Sequence, residues 1–267
     1  MLGLGIDIRK QTAPQGEGFV NTQSLYFDGV NDFGRWPTAS TFEDLLGNTS
    51  FTISAWLRCN IPASASGSKG HSLLGQSVEF IGSDLALLNV GTLYGPGHST
   101  AATRNTMHFS LIVGTTKYFD TQVANVDSYL TNNEWYHLAY TSRVETDGTR
   151  SGIIYINGTA RSTSDNSTTG NFSGLGISGH RFGAKYQISS VTEYTKGFLD
   201  EFVILDEAVP ASRVLDMYNS GCPKTEESNQ TIGYWRMEQQ SGDALDTSSN
   251  SNDITRTGAT FSSTTPC

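Results

Sequence analysis

From residue 24 to residue 206 the chain is a succession of short β-type runs, each ended by a cluster of Gly, Asn, Asp or Ser. SLYFDG (24–29), FTISAWLRC (51–59), DLALLNVGTLY (84–94), TMHFSLIVG (106–114), TKYFDTQV (116–123), EWYHLAYTSR (134–143), SGIIYINGTAR (151–161), LGISGHRFGAKY (175–186) and KGFLDEFVILD (196–206) follow one another at short intervals. Strands this short and this closely spaced argue for a sandwich or a barrel. In FTISAWLRC, Phe51, Ile53, Ala55 and Leu57 take one face, and Thr52, Ser54, Trp56 and Arg58 the other. Asn157-Gly158 between two such runs is a strong hairpin signal. One helix pattern stands out, VPASRVLDMYNSG (209–221). Pro210 suits its first turn. Val214, Leu215 and Tyr218 are placed on one face, and Gly221 suits a left-handed cap.

Composition narrows the class. Of 267 residues 16% are charged and 36% hydrophobic, and the net charge is −9. A phosphate-binding surface needs clustered Lys and Arg, and no basic run exists, so nucleic acid is excluded as a partner. No apolar stretch approaches the ~20 residues that cross a bilayer as a helix, and the N-terminus lacks the pattern of a secretory leader. The expectation is a soluble protein made in a cytoplasm. Cys59, Cys222 and Cys267 are too few for a disulfide-built fold. Cys222 and Cys267 bracket the last segment, so either a bond between them or free thiols fits.

The segments SLYFDGVNDFGRW, FTISAWLR, NNEWYHLAYTSR, IYINGT and GFLDEFVILDEAVPASRVLDMYNSG, in that order, resemble the laminin-G-like, concanavalin A-like lectin/glucanase superfamily over residues 22–221. The resemblance implies an all-β, antiparallel β-sandwich (a jelly roll) with one short helix against its edge. Residues 1–21 then read as an N-terminal arm. Residues 222–267 read as a C-terminal segment that adds a strand either to the same sandwich, as a circular permutant, or to a neighbouring subunit. The permutation follows from order: YWRME, which precedes the FDG strand in many relatives, here comes last. Phe27, Ile53, Trp56, Trp135, Leu138, Ile154, Phe202 and Ile204 are expected in the core. The resemblance also implies one structural Ca2+ where first and last strands meet, with Asp28, the Gly29 carbonyl and Asp200 in the matching motifs.

Catalytic chemistry finds little support. Retaining glycosidases of this fold need paired carboxylates on one strand face, and neither Glu-x-Asp-x-Glu nor Glu-x-Asp-x-x-Glu occurs. Asp200 and Asp206 are placed on one face with Phe202 and Ile204 between them, and acidic residues are expected on rims and loops. The glycines 174, 176 and 179 match a dinucleotide pattern, but no helix follows. The expectation is a protein that is not an enzyme. If it binds glycans, exposed side chains in loops and at strand ends are the candidates: Tyr94, His98, Arg104, Tyr186 and Tyr194. Trp56 and Trp135 are assigned to packing, and His137 to a hydrogen-bonded core or rim position.

MLGLGIDI at the start, a single lectin-like domain, and GYWRMEQQSG with TFSSTTPC near the end are similar to lectin-like structural proteins of marine tailed phages. That likeness implies a virion surface protein, a capsid decoration or a fibre or tail adhesin. Its partners would be other virion proteins, copies of itself and host-surface glycans. The alternatives are a carbohydrate-binding module of a bacterial surface or secreted protein and, disfavoured by the missing carboxylate pair, a glycoside hydrolase.

Overall fold

The computed structural model describes residues 19–35, 50–61, 71–96, 98–100, 103–162, 164–168, 179–225 and 228–267. The arm up to residue 18, the polar loop 62–70, most of the loop 162–174 and the glycines 174 and 176 lie outside these residues. In chain order the strands are β1 (Ser24–Asp28), β2 (Phe33–Arg35), β3 (Phe51–Cys59), β4 (Gln76–Ile81), β5 (Asp84–Tyr94), β6 (Thr106–Val113), β7 (Thr116–Ala124), β8 (Trp135–Val144) and β9 (Arg150–Ile156). There follow β10 (Thr159–Ala160), β11 (Ser164–Asp165), β12 (Arg181–Phe182), β13 (Lys185–Gln187), β14 (Ser190–Thr192), β15 (Lys196–Leu205), β16 (Thr231–Trp235), β17 (Thr255–Thr257) and β18 (Thr260–Ser262). The helix α1 (Ala211–Tyr218) falls between β15 and β16.

Two large sheets face each other. The first runs β10-β9-β8-β3-β15-β1-β18, with β16 also paired to β15; the second runs β11-β7-β6-β5-β4-β13-β14. A small third sheet is β12-β2-β17. All pairings are antiparallel except β4 with β13. The main core fills the space between the large sheets, where Phe51, Ile53, Ala55 and Leu57 of β3 meet Leu88, Phe109, Leu111 and Phe119 of the second sheet. The period-2 alternation of β3 is thus realised as drawn. The β9–β10 turn also forms as the sequence indicates, Asn157 and Gly158 both taking positive φ, 50° and 72°.

The outer face of the first sheet carries a second, smaller core: Ala139, Tyr155, Val203, Leu205 and Tyr234, capped by Val209, Val214 and Met217 of the helical segment. Burial on this face requires Val214 and Met217 to point inward, so Leu215 points out and is 57% exposed. The helical face is therefore Val214 and Met217 with half-buried Tyr218, not one that includes Leu215. Pro210 is the N-cap, and the left-handed cap is taken by Asn219, with Gly221 just beyond at φ 107°.

β15 is shared by two strands on one edge. β1 pairs with its first half, Leu25 opposite Leu199, and β16 with its second half, Trp235 opposite Phe202. Between them β15 bulges at Asp200 and Glu201, where Glu201 has φ 45°. The bulge places two consecutive residues away from the core. Asp200 consequently lies opposite outward-facing Trp56, not on the face of Phe202 and Ile204. β18 extends the same edge by pairing with β1. Residues 231–262 thus supply strands to two of the three sheets within this chain.

Candidate functional site

Outward-facing residues of β3 and β8 stand beside the helix, and the gap between them is a cavity of about 330 Å3. Trp56, Trp135 and Tyr218 supply aromatic walls, Glu134 and Asn157 a carboxylate and an amide, and Ser220, Cys222, Pro266 and Cys267 the far side. Trp56 and Tyr218 stack, centroids 5.9 Å apart and planes at 23°. Trp56 rests on His137 at 5.4 Å. His137 is fully buried, bonded to the Ser54 hydroxyl at 2.7 Å, and burial lowers its pKa to about 3. It is a neutral support for the Trp56 ring. Trp135, expected in the core, is half-buried at the cavity: position 135 faces outward, where α1 does not cover the sheet. The other seven expected core residues are buried, Trp56 among them at 4% exposure.

The cavity opens onto a row of half-buried aromatic rings that crosses four strands. Tyr26, Phe198, Arg58 and Trp135 are successive cross-strand neighbours. Phe198 lies 4.8 Å from Tyr26 and 6.0 Å from Trp135, centroid to centroid. The Arg58 guanidinium sits 5.4 Å over Phe198 and is anchored by Asn133 at 3.2 Å. Rings partly open to solvent with polar groups between them suit ligands that have both an apolar face and hydroxyl edges. Sequence reasoning passed over this row. The available signal was the alternation itself, which puts Tyr26, Trp56, Trp135 and Phe198 opposite the residues that fill the core.

The residues nominated for glycan contact divide differently. Tyr94, His98 and Arg104 gather at one end of the second sheet, but Tyr94 and His98 are 8% and 3% exposed. The Tyr94 hydroxyl is held by Gln76 at 3.1 Å in a network with Asn89 and Ser110, and burial pushes its pKa up to about 12. His98 meets Tyr94 edge-on at 4.7 Å and bonds Thr103. Arg104 is exposed and donates to the His98 carbonyl. Tyr94 and His98 are thus buried and held by their neighbours, so two of the three are structural. Tyr186 and Tyr194 belong to the β13–β14 region, Tyr186 beneath the Arg181 guanidinium at 4.9 Å and Tyr194 bonded to the Val191 carbonyl.

The calcium set does not assemble. Asp28 pairs with Lys196, four residues along β15 from Asp200 and therefore roughly 13 Å away. Asp28 accepts from the Val30 amide at 2.7 Å as a turn cap. The bulge instead gathers Asp200, Glu201 and Glu238, with carboxylate oxygens within 4.8 Å of one another. Acidic residues are therefore not confined to rims and loops. Their oxygens are already occupied. Asp200 accepts from Asn21 and from the Glu201 amide, Glu201 from Tyr234 and Arg236, and Glu238 from the Thr22 and Gln23 amides. Calcium needs six to eight oxygens turned toward it, and a cluster satisfied by protein donors does not fit that demand. Burial first, then mutual repulsion, raises the Asp200 pKa well above the carboxylate range. Burial pushes Glu201 up to about 8 despite the Tyr234 bond and Arg236.

A sandwich of two large sheets, antiparallel but for the β4–β13 pair, with one helix on its outer face is a concanavalin A-like architecture. The profile of the concanavalin A-like lectin/glucanases superfamily matches residues 28–215, and the chain belongs to that family. No curated protein matches the sequence. Among solved structures it is similar to a candidate carbohydrate-binding protein of Bacteroides ovatus, at 16% identity and a TM-score of 0.55, covering 91% of this chain and 60% of that one. The SAP-like pentraxin of Limulus polyphemus matches at 12% identity, TM-score 0.39, over 74% of this chain and 82% of that one. Mouse laminin alpha1 domains LG4-5 match at 13% identity, TM-score 0.40, over 69% and 41%. At these identities the likeness is one of fold.

Proposed function

We propose that the protein is a non-catalytic glycan-binding protein, and that it serves at the surface of a tailed-phage particle. The binding function is carried by one observation: the Trp56–Trp135–Tyr218 cavity, with Glu134 and Asn157 in its wall, continues into the Phe198 and Tyr26 rings. Aromatic faces stack on the apolar face of a pyranose, while carboxylate and amide groups bond its hydroxyls. Among the described residues the cavity wall holds one side-chain carboxylate, Glu134, whereas the two-carboxylate route of glycoside hydrolysis needs a pair of Asp or Glu side chains. The carbohydrate-binding description of the Bacteroides ovatus relative accords with this reading. The virion role is supported by the sequence likeness of the two ends of the chain to lectin-like phage structural proteins. Its partners would then be other virion proteins and host-surface glycans.

A glycan array followed by titration of the best hit tests the binding. Trp135→Ala should weaken it roughly tenfold, the worth of one aromatic stack, and Tyr94→Phe should leave it unchanged. Equal affinity of Trp135→Ala and wild type would remove the cavity from the site. Release of reducing ends from any bound polysaccharide would overturn the non-catalytic part. Mass spectrometry of purified phage particles tests the virion assignment, which fails if the protein is absent from them.

A further inference from the structure

We propose that Cys222 and Cys267 are a redox pair whose disulfide fixes the C-terminal strap, residues 263–267, against the aromatic cavity and narrows it. Both residues line that one cavity, although 45 positions separate them (267 − 222). They arrive by different routes. Cys222 follows the left-handed turn after α1, donates its amide to the Asn219 carbonyl, and is 5% exposed. Cys267 lies at the end of the strap that leaves β18 and is exposed. The strap is anchored at its root, where the Ser24 hydroxyl donates to the Thr264 carbonyl at 2.6 Å. From Thr264, three further residues reach about 10 Å. A disulfide needs the two Cα atoms roughly 4–7 Å apart, and the two residues already face one cavity; the segment that moves to close that distance is the strap beyond Thr264.

The third cysteine is an internal control. Cys59 is buried, bonded to the Tyr136 hydroxyl at 3.3 Å, and burial pushes its thiol up to about 11. A thiol that neither ionises nor meets solvent does not exchange.

The oxidant is a small disulfide such as glutathione disulfide. The Cys267 thiolate attacks one of its sulfurs, the S–S bond breaks, and one glutathione leaves as thiolate and takes up a proton. Cys222 then gives up its proton and attacks Cys267 Sγ in the mixed disulfide, expelling the second glutathione. Two protein thiols are oxidised to one disulfide, and one glutathione disulfide is reduced to two thiols. The latch itself rests on the cavity geometry; its effect on ligand uptake rests on the glycan reading above.

The test needs no sugar. The full chain is equilibrated with glutathione disulfide, its thiols are alkylated, and unreduced peptides are mapped. In parallel, quenching of tryptophan fluorescence by acrylamide reports access to Trp135, the half-buried tryptophan of the cavity. The expected result is a Cys222–Cys267 peptide pair, Cys59 alkylated only after denaturation, and loss of the quenchable fraction contributed by the cavity, restored by dithiothreitol and absent in Cys267→Ser. Cys267 carrying only glutathione while Cys222 remains open to alkylation on unfolding would overturn the pair. A cross-link with unchanged quenching would overturn the narrowing. If both appear and no glycan binds the reduced protein, the latch stands and the glycan reading falls.

Discussion

Trp235 of β16 stacks on Phe202 of β15, ring centroids 5.0 Å apart and planes at 22°, and its indole N–H donates to the Asn252 carbonyl at 2.8 Å. Both rings are fully buried. The contact ties the last forty residues of the chain to the strand at the centre of the first sheet. Trp235→Ala should cost about 3–5 kcal/mol, read as a shifted midpoint in urea. A truncation after residue 222 should fail to give a cooperative transition, because it also strips β16 and β18 from the β15–β1 edge. A truncated protein as stable as the full chain would show that the segment is a tail.

Glu201 makes alkaline pH unfavourable. Its pKa in the folded protein, about 8, lies above the ordinary 4.5, so between those values the folded state holds a proton that the unfolded chain has released. Stability from this group is complete below the unfolded value and is lost as pH rises through the folded one, by at most ~1.4 kcal/mol per pH unit. His137, lowered to about 3, acts oppositely: its contribution is lost as pH falls below 6.5. Glu201→Gln should therefore flatten the stability profile of the wild type between pH 5 and 8. Parallel wild-type and variant profiles across that range would refute the buried proton.

Calcium should leave the melting temperature where chelator leaves it, since the carboxylates at the β15 bulge are spent on Asn21, Tyr234, Arg236 and backbone amides. A rise on adding calcium, abolished by Asp200→Asn, would show that these donors yield to the ion.

Asn157 has two separable roles. Its side-chain carbonyl accepts the His137 amide at 2.9 Å, and its backbone sits at φ 50°. Asn157→Gly keeps the turn and loses the bond, costing about 1 kcal/mol. Asn157→Ala adds the left-handed strain of a Cβ, roughly 1 kcal/mol more. Denaturation of the two variants side by side checks the order, and equal losses would mean the turn bears no strain.

Local chemistry determined much of this protein before any folding was considered. The alternation of Phe51–Cys59 specified which side chains enter the core, Asn157-Gly158 specified a hairpin, and Pro210 specified where the helix begins, because each depends on the geometry of a few adjacent residues. Tertiary structure decided the rest. Trp56 and Trp135 belong to the outward faces of their strands, but only the docking of α1 and of residues 266–267 turns those faces into a cavity. Tyr94 and His98, read as exposed side chains of loops and strand ends, are buried against Gln76, Asn89 and Thr103, contacts between residues that no local pattern brings together. Asp200 and Asp28 share motifs but not a site, since the register of β1 against β15 separates them, and a two-residue bulge turns Asp200 away from the face that period-2 counting assigns it. Period and turn signals report which way a residue points along its own strand. What stands opposite depends on pairing between strands far apart in the chain, and that is settled by the burial of the whole sandwich.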